Sequence, residues 1–193
     1  PFPDSFAHSL DSIIRVRMEM AELTGYVKTV GSLRREYEGR IKIRTGLELE
    51  YVPRLHKEHV RTLREAGIEY FILGQHFLAD GEISTMSPVS DPSLLREYVD
   101  TVLEGAASGD FCIIAHPDVI RFTGDDDVYE RKMERLCLGL RNLDIPVEIN
   151  FLGLLKKRNY PDDRFWSVAG RVGNRAVFSA DAHRPEQVRD PGI

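Results

Sequence analysis

Residues 176–183 have the sequence AVFSADAH, in which a short apolar run leads directly into a carboxylate and an imidazole. The apolar run, 176–178, predicts a buried strand. Asp181 and His183 are two residues apart, so on extended backbone their side chains point the same way. Both are metal-binding side chains at the carboxyl end of a strand, where α/β enzymes keep their chemistry. An Asp that caps the next helix beside a solvent-facing His fits this stretch equally well.

Strands and helices alternate through the rest of the chain. The predicted strands are 41–52, 70–73, 111–114, 146–150 and 176–178. The predicted helices are 10–30, 32–37, 53–66, 92–105, 128–143 and 162–172, and 79–91 is predicted to be a long loop. This alternation indicates parallel β/α units. A barrel brings its strand ends to one mouth, whereas an open sheet spreads them along an edge. Because every predicted strand ends in an acid, an imidazole or an amide, the pattern favours the barrel.

Size and composition describe an ordinary soluble protein. The 193 residues are enough for one core, and we expect a single domain over 1–193. A net charge of -5 argues against a nucleic-acid-binding surface. No apolar run approaches the roughly 20 residues of a membrane helix, and no signal peptide is visible, so we expect a cytoplasmic location. Cys112 and Cys137 lie in apolar segments, which predicts buried reduced thiols.

Imidazoles and carboxylates gather at the predicted strand ends. The members of this set are Glu48, His76, His116, Asp181 and His183. A mixed set of this kind suits Zn, Mn or Fe and is poor for Ca, which prefers oxygen ligands only. A single His at a strand end is usually a hydrogen-bonded structural residue, but three of them on different strands with acids favour a metal site. His56 and His59 lie in a highly charged helical stretch, which predicts a solvated helix face.

Short motifs surround these residues. They are Gly46-Leu47-Glu48, Gly74-Gln75-His76-Phe77, Ala115-His116-Pro117, Glu148-Ile149-Asn150 and Ser179-Ala180-Asp181-Ala182-His183-Arg184-Pro185. In order, spacing and strand placement, over about residues 40–188, they resemble the motifs of the polymerase-and-histidinol-phosphatase (PHP) superfamily. The histidinol-phosphatase-like branch is the most similar. The Asp-Ala-His-Arg-Pro run is the most specific motif, and Glu-Ile-Asn is weak by itself.

The resemblance implies a fold and a set of metal ligands. The fold is α/β, a distorted (β/α)7 TIM-like barrel, and the cofactors are two to three divalent transition metal ions, Zn, Mn or Fe. In the family pattern Glu48 bridges two metals and Asp181 binds the first. His76 and His116 complete the second, and His183 helps to bind the third. Glu48, Asp181 and His183 are therefore the candidate catalytic residues.

Part of the family pattern does not occur in this sequence. The His-x-His pair of the first strand and the further His residues that follow it are absent. Neither Pro1 nor Ile193 looks like a natural terminus, so we expect a fragment from which the N-terminal strands of the barrel are missing.

A second departure concerns the phosphate of the substrate. Many family members have an Arg soon after Glu-Ile-Asn that holds phosphate, but the best-aligned residue here is Leu155. Basic residues follow it, and Arg158 or Lys157 is a candidate for that role, together with Arg184. An ordinary solvated basic turn explains the same residues equally well.

The implied function is metal-dependent hydrolysis of a phosphomonoester by a metal-activated hydroxide, with histidinol phosphate converted to histidinol in histidine biosynthesis. No Ser or Cys flanked by a base is evident, which favours direct attack by water. Glu50, Asp118 and Glu148 are candidates for orienting ligands or shuttling protons. The partner is then a small phosphorylated substrate, with no membrane and no nucleic acid, and no oligomeric state is predicted. Two alternatives stay open: a PHP-type phosphodiesterase or nuclease, and a non-catalytic domain with a degenerate metal site.

Overall fold

The computed structural model describes residues 18–78 and 81–188, which form a parallel sheet packed against helices. The strands are β1 Gly46–Leu49, β2 Tyr70–Leu73, β3 Phe77–Leu78, β4 Ile83–Ser84, β5 Phe111–Ile114, β6 Val147–Asn150 and β7 Ala176–Ser179. The α-helices are α1 Leu23–Glu36, α2 Pro53–Glu65, α3 Pro92–Ala107, α4 Asp126–Asn142, α5 Phe151–Lys156 and α6 Asp163–Val172. Short 3₁₀ helices cover Met20–Glu22 and Pro185–Val188.

The strand order explains why the strand ends can share one site. The main sheet has the order β1-β2-β5-β6-β7, while β3 and β4 form a separate antiparallel pair. All four pairings in the main sheet are parallel. Because parallel crossovers are right-handed, strands that follow chain order place their helices on one face, as in a β/α barrel. A doubly wound sheet would instead reverse direction at a switch point. The predicted α/β class is confirmed.

Capped helices and a single apolar core support this sheet. Asp91 Oδ1 accepts a hydrogen bond from the Ser93 backbone N–H at 2.7 Å at the start of α3, as predicted. Asp125 caps α4 in the same way. The largest fully buried side chains are Tyr98, Tyr129, Phe71, Phe165, Leu63, Leu73, Leu95, Ile114, Ile120, Met133, Leu136 and Leu140. None of the helices in the described ranges has the length and apolar character needed to cross a bilayer.

Several element boundaries differ from the prediction. The predicted helices 10–30 and 32–37 meet in one helix, α1, which begins only at Leu23 and passes through Gly31. Met20–Glu22 is a 3₁₀ turn, and residues 10–17 lie outside the described residues. The predicted strand 41–52 pairs only over its centre, in β1. The helix α5 follows β6 without a loop and was not predicted, because its six residues are too few to show a helical period.

The prediction of a solvated face on α2 is wrong. His56 and His59 are buried, and they share one helical face with Val60 and Leu63 at spacings i, i+3, i+4 and i+7. His56 Nε2 lies 2.9 Å from Oδ2 of Asp110. The imidazoles therefore belong to the buried stripe of α2, which its many charged neighbours hide in the sequence.

The prediction of two buried thiols is half correct. Both cysteines are reduced, and Cys137 is buried, but Cys112 is exposed. Phe111, its neighbour on β5, stacks on His56 of α2 with ring centroids 5.4 Å apart. Cys112 lies at an irregularity in the pairing of β2 with β5, where Phe71 pairs with Phe111 and Ile72 with Ile113, and its thiol donates to the Phe71 carbonyl oxygen at 3.2 Å.

Candidate metal centre

The carboxyl ends of β1, β2 and β5 bring Glu48, His76 and His116 together. One ligand atom from each lies within 4.8 Å of the other two. Oε1 of Glu48 is 3.4 Å from Nε2 of His76 and 3.2 Å from Nε2 of His116. Ligands bonded at about 2.1 Å to a tetrahedral ion lie about 3.4 Å apart. The two distances from the Glu48 oxygen therefore fit protein ligands of one zinc-like ion.

Gly74, directly after β2, leaves room for the carboxylate of Glu48. A Cβ added at Gly74 would lie 1.9 Å from Oε1 of Glu48, far inside van der Waals contact. The backbone N–H of Gly74 donates to the Leu49 carbonyl at 3.2 Å, so the glycine is fixed beside β1. A glycine is needed here for close approach, because its φ is not in the left-handed region.

Glu48 is ionised at neutral pH. Burial by itself would raise its pKa, but the hydrogen bond from His116 and the nearby imidazole of His76 outweigh burial and lower the pKa to about 2. For His116 burial opposes protonation, but the carboxylates of Glu48, Glu148 and Asp181 outweigh it and raise the pKa. The side chain of Glu48 is still 36% exposed. The site therefore offers an anionic oxygen at an open mouth, and His116 must release its proton to bind a metal.

Glu50 orients one of the imidazoles. Its Oε1 accepts a hydrogen bond from the His76 backbone N–H at 3.3 Å and lies 3.3 Å from Nδ1 of the same ring. The side chain of Glu50 is only 8% exposed. A carboxylate on Nδ1 fixes the tautomer that leaves Nε2 for a metal, which is the arrangement common around metal-binding His residues.

Glu148 and Asn150 organise the ends of β5, β6 and β7. Oε2 of Glu148 accepts a hydrogen bond from the backbone N–H of His116 at 2.7 Å and another from Nδ2 of Asn150 at 3.1 Å. His116 has φ of 28°, a conformation that side-chain-bearing residues rarely adopt. The Glu148 carboxylate therefore helps to hold the backbone that aims the His116 ring.

Asp181 borders this centre, and His183 lies further out. Nδ2 of Asn150 donates to Oδ2 of Asp181 at 3.1 Å, which ties the end of β7 to the end of β6. The side chain of His183 is 67% exposed, and its Nδ1 lies 2.9 Å from the carbonyl oxygen of Asp181. Within the described ranges, neither side chain joins the close cluster of Glu48, His76 and His116. Their roles as ligands stay predictions.

The three basic candidates for phosphate binding differ in their surroundings. Arg158 has its guanidinium carbon 5.7 Å from the ring centroid of Tyr160. Lys157 is an exposed left-handed residue that ends α5. Arg184 is exposed, and its backbone N–H donates to Oε1 of Gln187 at 3.0 Å. Of these three described residues, Arg158 packs against a ring, that of Tyr160, whose centroid lies 5.4 Å from that of His116.

Asp118 is more buried than a proton shuttle at the mouth would be. It is 1% exposed, and its Oδ2 accepts hydrogen bonds from the Asp162 backbone N–H at 2.7 Å and from Nε1 of Trp166 at 3.0 Å. Burial raises its pKa to about 6. These contacts attach the loop after β5 to the start of α6. Asp118 therefore stabilises the segment that also carries His116, two residues earlier.

Residues 15–150 match the PHP domain family. The chain belongs to this family. This PHP chain is 26% identical over 183 residues to the "Probable histidinol-phosphatase" of Deinococcus radiodurans, an alignment that covers 89% of the chain and 69% of that relative. It is 34% identical over 80 residues to the histidinol-phosphatase of Bacillus subtilis, which covers 40% of the chain and 30% of that relative.

Two solved structures share the fold of this PHP chain. A Listeria monocytogenes protein assigned as a histidinol phosphatase has a TM-score of 0.77 at 18% identity, over 97% of this chain and 82% of that one. The histidinol phosphate phosphatase of Lactococcus lactis, in complex with zinc, L-histidinol and phosphate, has a TM-score of 0.64 at 20% identity, over 87% of this chain and 68% of that one. These likenesses confirm the predicted fold class.

Sequence reasoning missed two residues that shape this PHP site. Gly74 lies in the Gly74-Gln75-His76-Phe77 motif, but its contact with Glu48 depends on the pairing of β1 with β2. Tyr160 was not singled out, although its ring centroid lies 5.4 Å from that of His116. An aromatic residue before a proline carries no sequence signal for such a contact.

Proposed function

We propose that this PHP protein is a metal-dependent phosphomonoesterase that converts L-histidinol phosphate to L-histidinol and inorganic phosphate in histidine biosynthesis. The observation that carries the proposal is the cluster of Glu48, His76 and His116, whose spacing fits one shared ion at the carboxyl ends of parallel strands. The names of two relatives, and the zinc, L-histidinol and phosphate of the Lactococcus lactis structure, support the substrate and the metal.

The side chains of the site are suited to hold the cofactor and to leave it accessible. Divalent ions bound here would supply Lewis acidity, which neutralises phosphate charge and activates water. Glu48 contributes an anionic oxygen over a wide pH range, because its pKa is about 2. Glu50 holds the His76 ring through Nδ1, and Glu148 holds the backbone of His116.

We extend the site to two or three ions, with Asp181 and His183 as further ligands. Asp181 is held beside the cluster by the Asn150 amide, at 3.1 Å. His183 is exposed, with its Nδ1 2.9 Å from the carbonyl oxygen of Asp181. Arg158, with Lys157 and Arg184 further out, would bind the phosphate oxygens and align the ester for direct attack by water.

The test is phosphate release by the purified protein after loading with Zn²⁺ or Mn²⁺. We expect turnover of L-histidinol phosphate that a strong chelator abolishes and added metal restores. An oligonucleotide and bis(p-nitrophenyl) phosphate serve as diester controls. Faster cleavage of the diesters would establish the phosphodiesterase alternative instead. Metal binding without turnover of any ester would identify a degenerate, non-catalytic site.

A further inference from the structure

Tyr160 bridges a metal-cluster imidazole and the candidate phosphate-binding arginine. It is 2% exposed, and its ring centroid lies 5.4 Å from that of His116. Its hydroxyl accepts a hydrogen bond from Nη1 of Arg158, whose guanidinium carbon is 5.7 Å from the ring centroid. One buried aromatic residue therefore contacts the metal cluster with its ring and the exposed arginine with its hydroxyl.

The surroundings of Tyr160 are shaped to fit it. A Cβ added at Gly153 would lie 2.4 Å from the Tyr160 carbonyl oxygen and 2.6 Å from its ring carbon Cδ2. The N–H of Gly153 donates to Oδ1 of Asn150 at 2.8 Å, and its carbonyl accepts the N–H of Arg158 at 3.0 Å. Asn150 also contacts Asp181, so the segment that carries Arg158 and Tyr160 is anchored to the same strand ends as the metal cluster.

The Tyr160 hydroxyl is a neutral acceptor for the arginine, because an ordinary phenol is protonated at neutral pH. A neutral phenol oxygen can accept from the arginine without cancelling its positive charge. The guanidinium therefore stays available for a dianionic ligand.

We propose that Tyr160 is a positioning residue that holds the Arg158 guanidinium beside the metal cluster and thereby sets the affinity for the phosphoryl group; this inference rests on the proposed function. An exposed arginine otherwise loses rotamer freedom when it binds a ligand. A fixed guanidinium avoids that cost and presents its fork of donors to phosphate oxygens. Tyr160 would thus raise phosphate affinity without touching the substrate.

The experiment is a double-mutant cycle on the zinc-loaded protein. The dissociation constant of inorganic phosphate is measured by calorimetry, and KM and kcat are measured with L-histidinol phosphate. We expect Tyr160→Phe to weaken phosphate binding and raise KM by roughly 3- to 30-fold, with little change in kcat and in zinc content. In an Arg158→Ala background the same change should have almost no further effect, because the coupled partner is gone.

Two further variants separate the hydroxyl from the fold. Tyr37→Phe is the matched control, because Tyr37 also carries an arginine, Arg40, over its ring at 4.9 Å but lies before β1, away from the strand ends that form the cluster. It should leave phosphate binding and KM unchanged. Arg158→Lys keeps the positive charge but loses the paired donors of the guanidinium. In that background, Tyr160→Phe should change phosphate affinity much less than it does in the wild type.

Different results of these experiments would refute the role of Tyr160 and the proposed substrate. Three results would each overturn the positioning role. The first is unchanged phosphate affinity in Tyr160→Phe, and the second is loss of zinc from that variant. The third is a Tyr160→Phe effect as large in the Arg158→Ala background as in the wild type. Coupled phosphate binding without turnover of L-histidinol phosphate would refute the proposed substrate alone. A wild-type protein that binds zinc but no phosphate would refute both.

Discussion

At the scale of single residues, the metal cluster requires its ligands and also the absence of a side chain at Gly74. Glu48 can turn its carboxylate toward His76 and His116 only because Gly74 has no side chain. The backbone of Gly74 is in a region open to any residue, so the requirement is for space. Substitutions at this level can therefore empty the site while the fold persists.

Gly74→Ala should reduce zinc affinity at least tenfold, because the new methyl group displaces the Glu48 carboxylate, an effect comparable to the 10–100-fold losses seen for groups that orient ligands. Zinc titration followed by calorimetry measures it. Gly25→Ala is the control, since a Cβ added at Gly25, within α1, meets nothing within 4 Å. Equal zinc affinity in both variants would show that Glu48 is not a ligand in the observed rotamer.

Glu48→Gln and Glu50→Gln separate the two acids of one strand. Glu48→Gln keeps the size but removes the anionic oxygen of the cluster, so metal content and activity should both collapse. Glu50→Gln changes the group behind His76 and should lower activity by about 10–100-fold with most of the metal retained. Metal stoichiometry and turnover are measured side by side. The reverse pattern would show that Glu50 is the ligand and Glu48 the orienting group.

The two thiols should differ in reactivity. Burial raises the pKa of Cys137 to about 12, so its thiol stays protonated in the folded protein at pH 8. We expect a thiol reagent to modify exposed Cys112 first and Cys137 only on unfolding. Because the folded pKa is raised, Cys137 costs stability as the pH rises from its ordinary pKa toward the folded value. Rapid labelling of Cys137 in a native Cys112→Ser variant would contradict its burial.

At the scale of elements, the helices are amphipathic, and the buried stripe is not always apolar. His56 and His59 occupy core positions of α2, whereas the glycines of α3 and α6 occupy opposite environments. Gly105 is buried in α3 against the core, and Gly170 is exposed on α6. The same substitution should therefore have opposite effects in the two helices.

Gly170→Ala should raise the free energy of unfolding by about 0.5–1 kcal/mol, because alanine restricts the unfolded chain and is a better helix former. A Cβ at Gly170 meets nothing within 4 Å, whereas one at Gly105 would lie 2.9 Å from Cβ of Tyr51 and 3.0 Å from Cδ2 of Leu73. Gly105→Ala should accordingly destabilise the protein. Urea unfolding of both variants measures the difference, and stabilisation by Gly105→Ala would mean that α3 packs less closely than the structure shows.

At the scale of the whole molecule, the candidate metal centre joins three separate parts of the sheet. Glu48, His76 and His116 come from β1 and from the loops after β2 and β5, so a shared ion would crosslink them. Unfolding separates these side chains and destroys the site. Metal binding should therefore be coupled to global stability.

Zinc should raise the melting temperature of the metal-free protein. At 100 times the dissociation constant the gain is about 2.7 kcal/mol, which for a domain of this size is a shift of about 5–10 °C. Differential scanning fluorimetry with and without zinc measures it. The shift should vanish in Glu48→Gln and persist in Glu58→Gln, since Glu58 is 81% exposed on α2. A zinc-dependent shift in Glu48→Gln would place the stabilising ion elsewhere.

Local patterns were sufficient to predict most of the main sheet. The strands at 70–73 and 111–114, the helix from Pro53 and the cap at Asp91 agree with the structure, because apolar runs, Pro and capping residues act over a few neighbours. The strand ends in turn suggested which residues could share a site. The single domain and the cytoplasmic location stay predictions.

By itself, then, the sequence determined the alternation of strands and helices, the α/β class and the candidate metal ligands, since each follows from short-range periodicity and residue chemistry. Only the tertiary structure decided which side chains are buried and which come into contact. His56 and His59 lie inside because α2 packs against β5, and Cys112 lies outside at the irregular pairing of β2 with β5. The register of β1 against β2 places Gly74 beside Glu48, and the chain after α5 places Tyr160 beside His116. No local pattern encodes either contact, because each joins segments that are distant in the sequence.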